Sequence, residues 1–230
     1  MKRIFQQIII VAAVVVAGGW SAAASILVYD NSTGDQFARM IGNGAELGDQ
    51  IILDVPAPTA EVDYFRFQYF LEPINLYTLS GSEQARIHFY QMDGAPVSGY
   101  ASPGTTLWDS GWFNILGTTR NTYTFDNTTA GFPVTLPKEF TWSVEFQGLG
   151  SDPNWTARAG VDLYTPPTTG QNYPDYWMKQ GGNWSLLTLG FGYTANFGAQ
   201  VGVVPEPAAL AWGLVSGLAA VLTARRLKRS

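Results

Sequence analysis

Phe140, Trp142, Val144 and Phe146 alternate with Glu139, Thr141, Ser143 and Glu145. Successive side chains of a β-strand point to opposite faces, so this alternation predicts a strand over 139–149 with one apolar face. The stretch VDYFRFQYFLEP repeats the pattern, with Phe65, Phe67, Tyr69 and Leu71 on one side and Tyr64, Arg66, Gln68 and Phe70 on the other. ARIHFYQMDG sets Ala85, Ile87 and Phe89 against Arg86, His88 and Tyr90, and ends in the turn-forming pair Asp93-Gly94. Shorter runs predict strands over 26–29, 50–55, 106–108, 112–115, 122–125, 132–136, 157–163, 184–189 and 193–201. GNGAELGDQ and YTPPTTGQNYPD read as loops, because Gly, Pro, Asn and Asp dominate them. No window between the termini shows a capped 3.6-residue apolar period. The fold expected is all-β: a jelly-roll-like antiparallel β-sandwich.

The two ends break this pattern. Lys2 and Arg3 precede the apolar run Ile8–Ala17, and Ala22 and Ala24 form an A-x-A cleavage pattern before Ser25. A basic start, a short apolar stretch and small residues predict a secretory signal peptide, with an uncleaved N-terminal anchor as the alternative. At the other end, Ala208–Ala224 is 17 residues without a charge, about 25 Å long as a helix at 1.5 Å per residue. That length approaches the span of a hydrocarbon layer roughly 30 Å thick. Arg225, Arg226, Lys228 and Arg229 follow at once, as in a helix retained with its basic flank on the cytoplasmic side. Three segments are therefore expected: a signal helix over 1–24, the sandwich over 25–203, and a sorting or anchoring segment with one transmembrane helix over 204–230.

Removing the ends changes the charge. The whole chain carries −5, but 25–204 keeps seven Lys and Arg against 17 Asp and Glu, a net charge near −10. So acidic a surface is repelled by phosphate backbones, which argues against a nucleic-acid partner. The chain has no cysteine and one histidine. Disulfide frameworks, thiolate chemistry and His-pair metal sites are excluded.

Candidate chemistry is sparse. His88 shares a strand face with Arg86 and Tyr90, where a solvated position or a bond to a cross-strand neighbour is expected, and no nucleophile-elbow context accompanies any serine. A glycosidase pair needs two carboxyl groups about 5–10 Å apart. Glu139 and Glu145, six residues apart on one strand face, would stand near 20 Å apart at about 3.3 Å per residue. A non-enzymatic protein is expected, with a carboxylate-based hydrolase as the least favoured reading. DNSTGD, from Asp30 to Asp35, offers closely spaced oxygen ligands suited to calcium, but lacks the spacing of a calcium loop, and an Asx-turn explains it as well. Trp142 is expected in the core, and Trp108 and Trp112 at a DSG turn. Trp155, Tyr173, Tyr176 and Trp177 lie in loop-like surroundings, where aromatic faces could stack on a sugar. Four N-x-S/T sequons start at Asn31, Asn127, Asn154 and Asn183.

Val204-Pro205-Glu206-Pro207, the single hydrophobic span and Arg225-Arg226 together resemble the PEP-CTERM sorting signal of Gram-negative bacteria. The resemblance covers about the last 26 residues. It implies Sec export, removal of the leader by signal peptidase, transient inner-membrane anchoring and processing by an exosortase. In that scheme Pro205, Glu206 and Pro207 are the recognition element, and Arg225, Arg226, Lys228 and Arg229 the membrane-retention element. The implied destination is the cell envelope, surface or extracellular matrix, near exopolysaccharide. GDQIIL, ARIHFYQMDG, PGTTLWDSG, FTWSVEFQGL, LYTPPTTGQNYPDYW and NFGAQ resemble a β-sandwich that recurs ahead of such tails, and that likeness implies no activity. The chain is thus expected to be an exported structural or adhesive protein. The alternative is a carbohydrate-binding module that takes polysaccharide on its loop aromatics.

Overall fold

The alternation read from the sequence becomes two antiparallel sheets. The computed structural model describes residues 25–151, 153–190 and 192–204. Thirteen strands are labelled here: β1 Ile26–Asp30, β2 Asp35–Ile41, β3 Glu46–Ile52, β4 Thr59–Pro73, β5 Gln84–Tyr90, β6 Thr106–Asp109, β7 Thr118–Asp126, β8 Val134–Pro137, β9 Glu139–Gln147, β10 Ala157–Tyr164, β11 Asp175–Gln180, β12 Asn183–Thr188 and β13 Ala199–Val203. Two-residue pairs such as Asn196–Phe197 and Gln171–Asn172 extend the sheets. There is no helix among the described residues, and none long and apolar enough to cross a membrane. The expected signal peptide, Pro205–Pro207 and the Arg225–Arg229 cluster lie outside the described residues.

In the first sheet β2 pairs with β10, β10 with β4, and β4 with β7 and β8, while β13 joins β4 and carries β1 on its far edge. In the second the order is β12-β11-β3-β9-β5-β6. The 15-residue β4 is the spine of the first sheet. Phe67 pairs with Ala199 on one edge and with Tyr123 on the other. Between the sheets, Phe65 and Phe67 from β4 meet Phe89 from β5 and Trp142 from β9, with Phe65 centroids 5.0 and 5.4 Å from those two rings. All four are buried. Each such side chain removed from water contributes about 1.5–3 kcal/mol, so this aromatic layer is the main adhesive of Ser25–Val203, one compact unit.

The three strands predicted from strict alternation are present, with the predicted faces inward. One loop reading is corrected: Glu46–Gln50 of GNGAELGDQ belongs to β3. YTPPTTGQNYPD is a loop over 165–170, followed by the Gln171–Asn172 pair, and its last residue, Asp175, opens β11, which carries Trp177. At Gly48 a Cβ would come within 2.9 Å of Thr141 on β9, so glycine is what lets β3 lie against it. The outer faces are also less exposed than simple alternation predicts. On the first sheet Asp162, fully buried, is held by Arg39 and Arg120, and Arg39 covers Phe70 at 4.9 Å.

Candidate functional site

The outward face of β5 presents Arg86, His88 and Tyr90, because their neighbours Ala85, Ile87 and Phe89 fill the core. The flanking strands align further polar residues with them. Ser143 of β9 stands opposite His88 and Glu145 opposite Arg86, while Asp109 of β6 stands opposite His88 on the other edge. Lys179 of β11 lies opposite Glu46 of β3, and Trp184 of β12 opposite Lys179. Six strands thus each place a functional side chain on one continuous band.

Glu46 is the hub of that band. It is 4 % exposed, and its Oε1 accepts from His88 Nδ1 at 3.0 Å, from Tyr90 OH at 3.0 Å and from the Ser143 hydroxyl. Its Oε2 accepts from Lys179 Nζ at 3.2 Å. Burial pushes the carboxyl up, but donation by His88 and Ser143, with the charges of His88 and Lys179, outweighs it and lowers the pKa to about 2. On the far side of the imidazole, His88 Nε2 is 3.6 Å from Asp109 Oδ1. Asp109 is itself lowered to about 2, first by the Arg86 guanidinium, against some desolvation, and then by the Gly111 amide. The Tyr90 hydroxyl moves the other way, raised by burial and by the adjacent Glu46 charge, so it remains a neutral donor.

Over this floor lies an open depression of about 420 Å³, walled by Arg86, Glu145, Lys179 and the Gly181-Gly182 turn. Tyr90 is the aromatic group in its lining, and two tryptophans stand behind its cationic walls. Trp184 meets Tyr90 edge-on at 5.5 Å, Lys179 Nζ sits 5.3 Å from the Trp184 ring, and Arg86 lies 5.8 Å over Trp112. Trp112 and Trp184 are each partly exposed. A second depression, about 500 Å³, lies between Ile52–Asp54 and Thr168–Gln171, with only Asp54 and Lys138 as charged groups.

Such a site can hold a neutral, hydroxyl-rich ligand: the Tyr90 ring supplies apolar contact, and Lys179, Arg86 and Glu145, the first two backed by indoles, supply donors and acceptors. It is poorly suited to general acid catalysis near neutrality, which needs a carboxyl raised toward the working pH. No family model, curated protein or solved structure matches the chain. The function is therefore argued from the site.

The aromatic residues expected to form a stacking surface do not converge on one. Tyr176 and Trp177 are consecutive on β11 and so face opposite sides of the sheet. Tyr176 packs toward Phe197 at 6.3 Å, while Trp177, 1 % exposed, lies over Gly48 and donates Nε1 to Gln50 at 3.1 Å. Trp155 is half-buried in a short hairpin pairing Gly150–Ser151 with Asn154–Trp155. Tyr173 is exposed and donates to Glu139 at 3.0 Å.

Asp30 forms an Asx-turn with Ser32 and accepts from Gln200, and Asp35 pairs with Arg120 at 2.6 Å, so the two do not face a common ion. Asn31, the first sequon asparagine, is buried. His88 forms the polar bond expected of it, but its partner lies two strands away on β3 and the ring is 7 % exposed, not solvated. The residues that sequence reasoning passed over are Glu46, Ser143, Lys179 and Trp184. The available signal was the alternation of Leu47, Asp49, Ile51 and Leu53, obscured by the glycines at 44 and 48.

Proposed function

We propose that this chain is an exported, non-enzymatic protein of the cell surface or extracellular matrix, and that its sandwich is an adhesive module binding polysaccharide in the Glu46 depression. One observation carries the binding role: an acidic hub saturated by four side-chain donors, under a depression whose Arg86 and Lys179 walls are backed by Trp112 and Trp184. Saturation fixes the floor in place, and preorganisation reduces the cost of binding. The low pKa of both Glu46 and Asp109 favours binding over hydrolysis.

The sandwich is proposed to be a jelly roll. The pairing orders β2-β10-β4-β7 and β3-β9-β5-β6, with the chain crossing repeatedly between sheets, support that wiring. Delivery rests on the terminal sequences: a signal helix, the Pro205-Glu206-Pro207 element for an exosortase-type enzyme, and a membrane helix retained by Arg225, Arg226, Lys228 and Arg229. Pull-down on extracellular polysaccharide tests the binding role, and loss of retention in Trp184→Ala is the expected result. Fractionation of cells making the full-length or tail-deleted chain tests delivery. Full-length protein found wholly in the cytoplasm contradicts it.

A further inference from the structure

The outward face of β5 and β9 continues past the Glu46 depression. Ser143, Glu145 and Gln147 of β9 stand opposite His88, Arg86 and Gln84 of β5, three successive rows on one face. The depression ends at its Arg86 and Glu145 wall, and the next row out consists of carboxamides. Gln147 donates to Gln84 Oε1, and Gln84 donates to Asn114 Oδ1 at 3.0 Å. Asn114 belongs to the short strand Phe113–Asn114, which pairs with β5 along its other edge. Gln147 and Asn114 are exposed, and Gln84 is half-buried.

Strand register and these two hydrogen bonds hold the three amides in line and leave most of their polar capacity open. A carboxamide carries two N–H donors and an oxygen with two lone pairs. The row engages one donor of Gln147, one donor and one lone pair of Gln84, and one lone pair of Asn114. At least one donor and one lone pair remain on each residue. Sugar hydroxyls both donate and accept, so they complement such a row, and amides already held in place lose less freedom on binding.

The charges nearby select the kind of sugar. Lys179 is paired with Glu46 and Arg86 with Asp109, while Glu145 has no ion-pair partner among the described residues. With His88 neutral, two cations face three carboxylates, and protonating the imidazole only restores balance. Neither state leaves a positive excess to hold a uronate or sulfate group. Residues 25–204, with a net charge near −10, repel polyanions further.

We propose that the carboxamide row Gln147–Gln84–Asn114 is a second subsite of the Glu46 depression, and that the ligand is an uncharged polysaccharide laid along β5 and β9. The inference rests on the polysaccharide reading of that depression and adds its ligand class and its length. His88 and Gln84 are four residues apart on β5, about 13 Å at roughly 3.3 Å per residue, which is more than one hexose covers. A chain long enough to reach both places makes contacts that a single sugar cannot.

The test uses the purified full-length chain and extracellular polysaccharide from cells that make it. Anion exchange separates that material into uncharged and acidic fractions, and the uncharged fraction is cut into long fragments and single sugars. Long fragments should bind wild type about tenfold more tightly than single sugars, equal to about 1.4 kcal/mol from the added hydrogen bonds. Gln84→Ala and Gln147→Ala should each remove most of that gain and leave single-sugar affinity unchanged. The exposed Gln147 can be replaced without disturbing the fold, which a wild-type Tm checks. The acidic fraction should neither bind nor compete. Equal affinity for long fragments and single sugars overturns the proposal, as does an unchanged length dependence in folded Gln147→Ala, and both leave the Glu46 depression as a polysaccharide site. Preference for the acidic fraction overturns the uncharged class. If no fraction binds wild type, the polysaccharide reading itself fails and this inference falls with it.

Discussion

Glu46 and His88 are separated by 42 positions in sequence and by strand β9 in the sheet, yet Glu46 Oε1 and His88 Nδ1 lie 3.0 Å apart. Gly48 and Ser143, paired between them, leave the Glu46 side chain room to lean across. Removing the carboxylate leaves the Tyr90, Ser143 and His88 donors buried without an acceptor. Glu46→Leu should therefore destabilise the domain by about 2–4 kcal/mol, read as a lower midpoint in urea with an unchanged slope. An unchanged midpoint would mean that water replaces the carboxylate at no cost.

The same pair sets an acid limb. Glu46 is held at about 2, below its ordinary 4.5, so the folded state binds its proton less readily than the unfolded one. Its contribution is complete above the unfolded value and is lost as pH falls through about 2. Wild-type stability should fall from pH 4.5 toward 2, and Glu46→Gln should flatten that fall. Part of the limb should remain, because Asp109 is lowered over a similar range. Thermal melts across this range measure both.

Gly160 tests the first sheet. Its backbone is not at positive φ, but a Cβ there would come within 1.9 Å of the Met40 carbonyl oxygen on β2. That oxygen belongs to a paired strand and cannot yield as a flexible side chain would. Gly160→Ala should cost about 3 kcal/mol or more and open the β2–β10 edge, seen as faster amide exchange at Asp35–Ile41.

Trp177 and Tyr173 separate structural from exposed aromatics. Trp177→Ala should lower stability by about 3–5 kcal/mol, because the indole is almost completely buried. Tyr173→Ala should change it by less than about 1 kcal/mol, since that ring is exposed. Equal losses in calorimetry would contradict the placement of the two rings.

Legibility followed locality. Strands β5 and β9, and β4 over 64–71, alternate core and outward side chains in sequence, so each announced its core face without reference to any partner. The wiring into two sheets depends on pairings such as Gly160 with Ile41, more than a hundred residues apart, and no local pattern encodes them. The band around Glu46 was hidden for the same reason. It takes side chains from six strands, and Glu46 itself follows Gly42, Gly44 and Ala45, a composition that reads as a turn. Trp177 shows the opposite error: the nearby Gly, Pro and Asn suggested a loop, although YWMKQ pairs in register with NWSLL.

Binding by the Glu46 depression is the central claim, and the most direct test is cosedimentation of the protein with extracellular polysaccharide as the surface is altered. Wild type and Tyr173→Ala should sediment alike. Trp184→Ala should bind about tenfold more weakly while keeping its wild-type melting temperature to within a few degrees, consistent with loss of about 1.4 kcal/mol of contact. Retention of full affinity by a folded Trp184→Ala chain, or no sedimentation of wild type with any polysaccharide, would contradict the account.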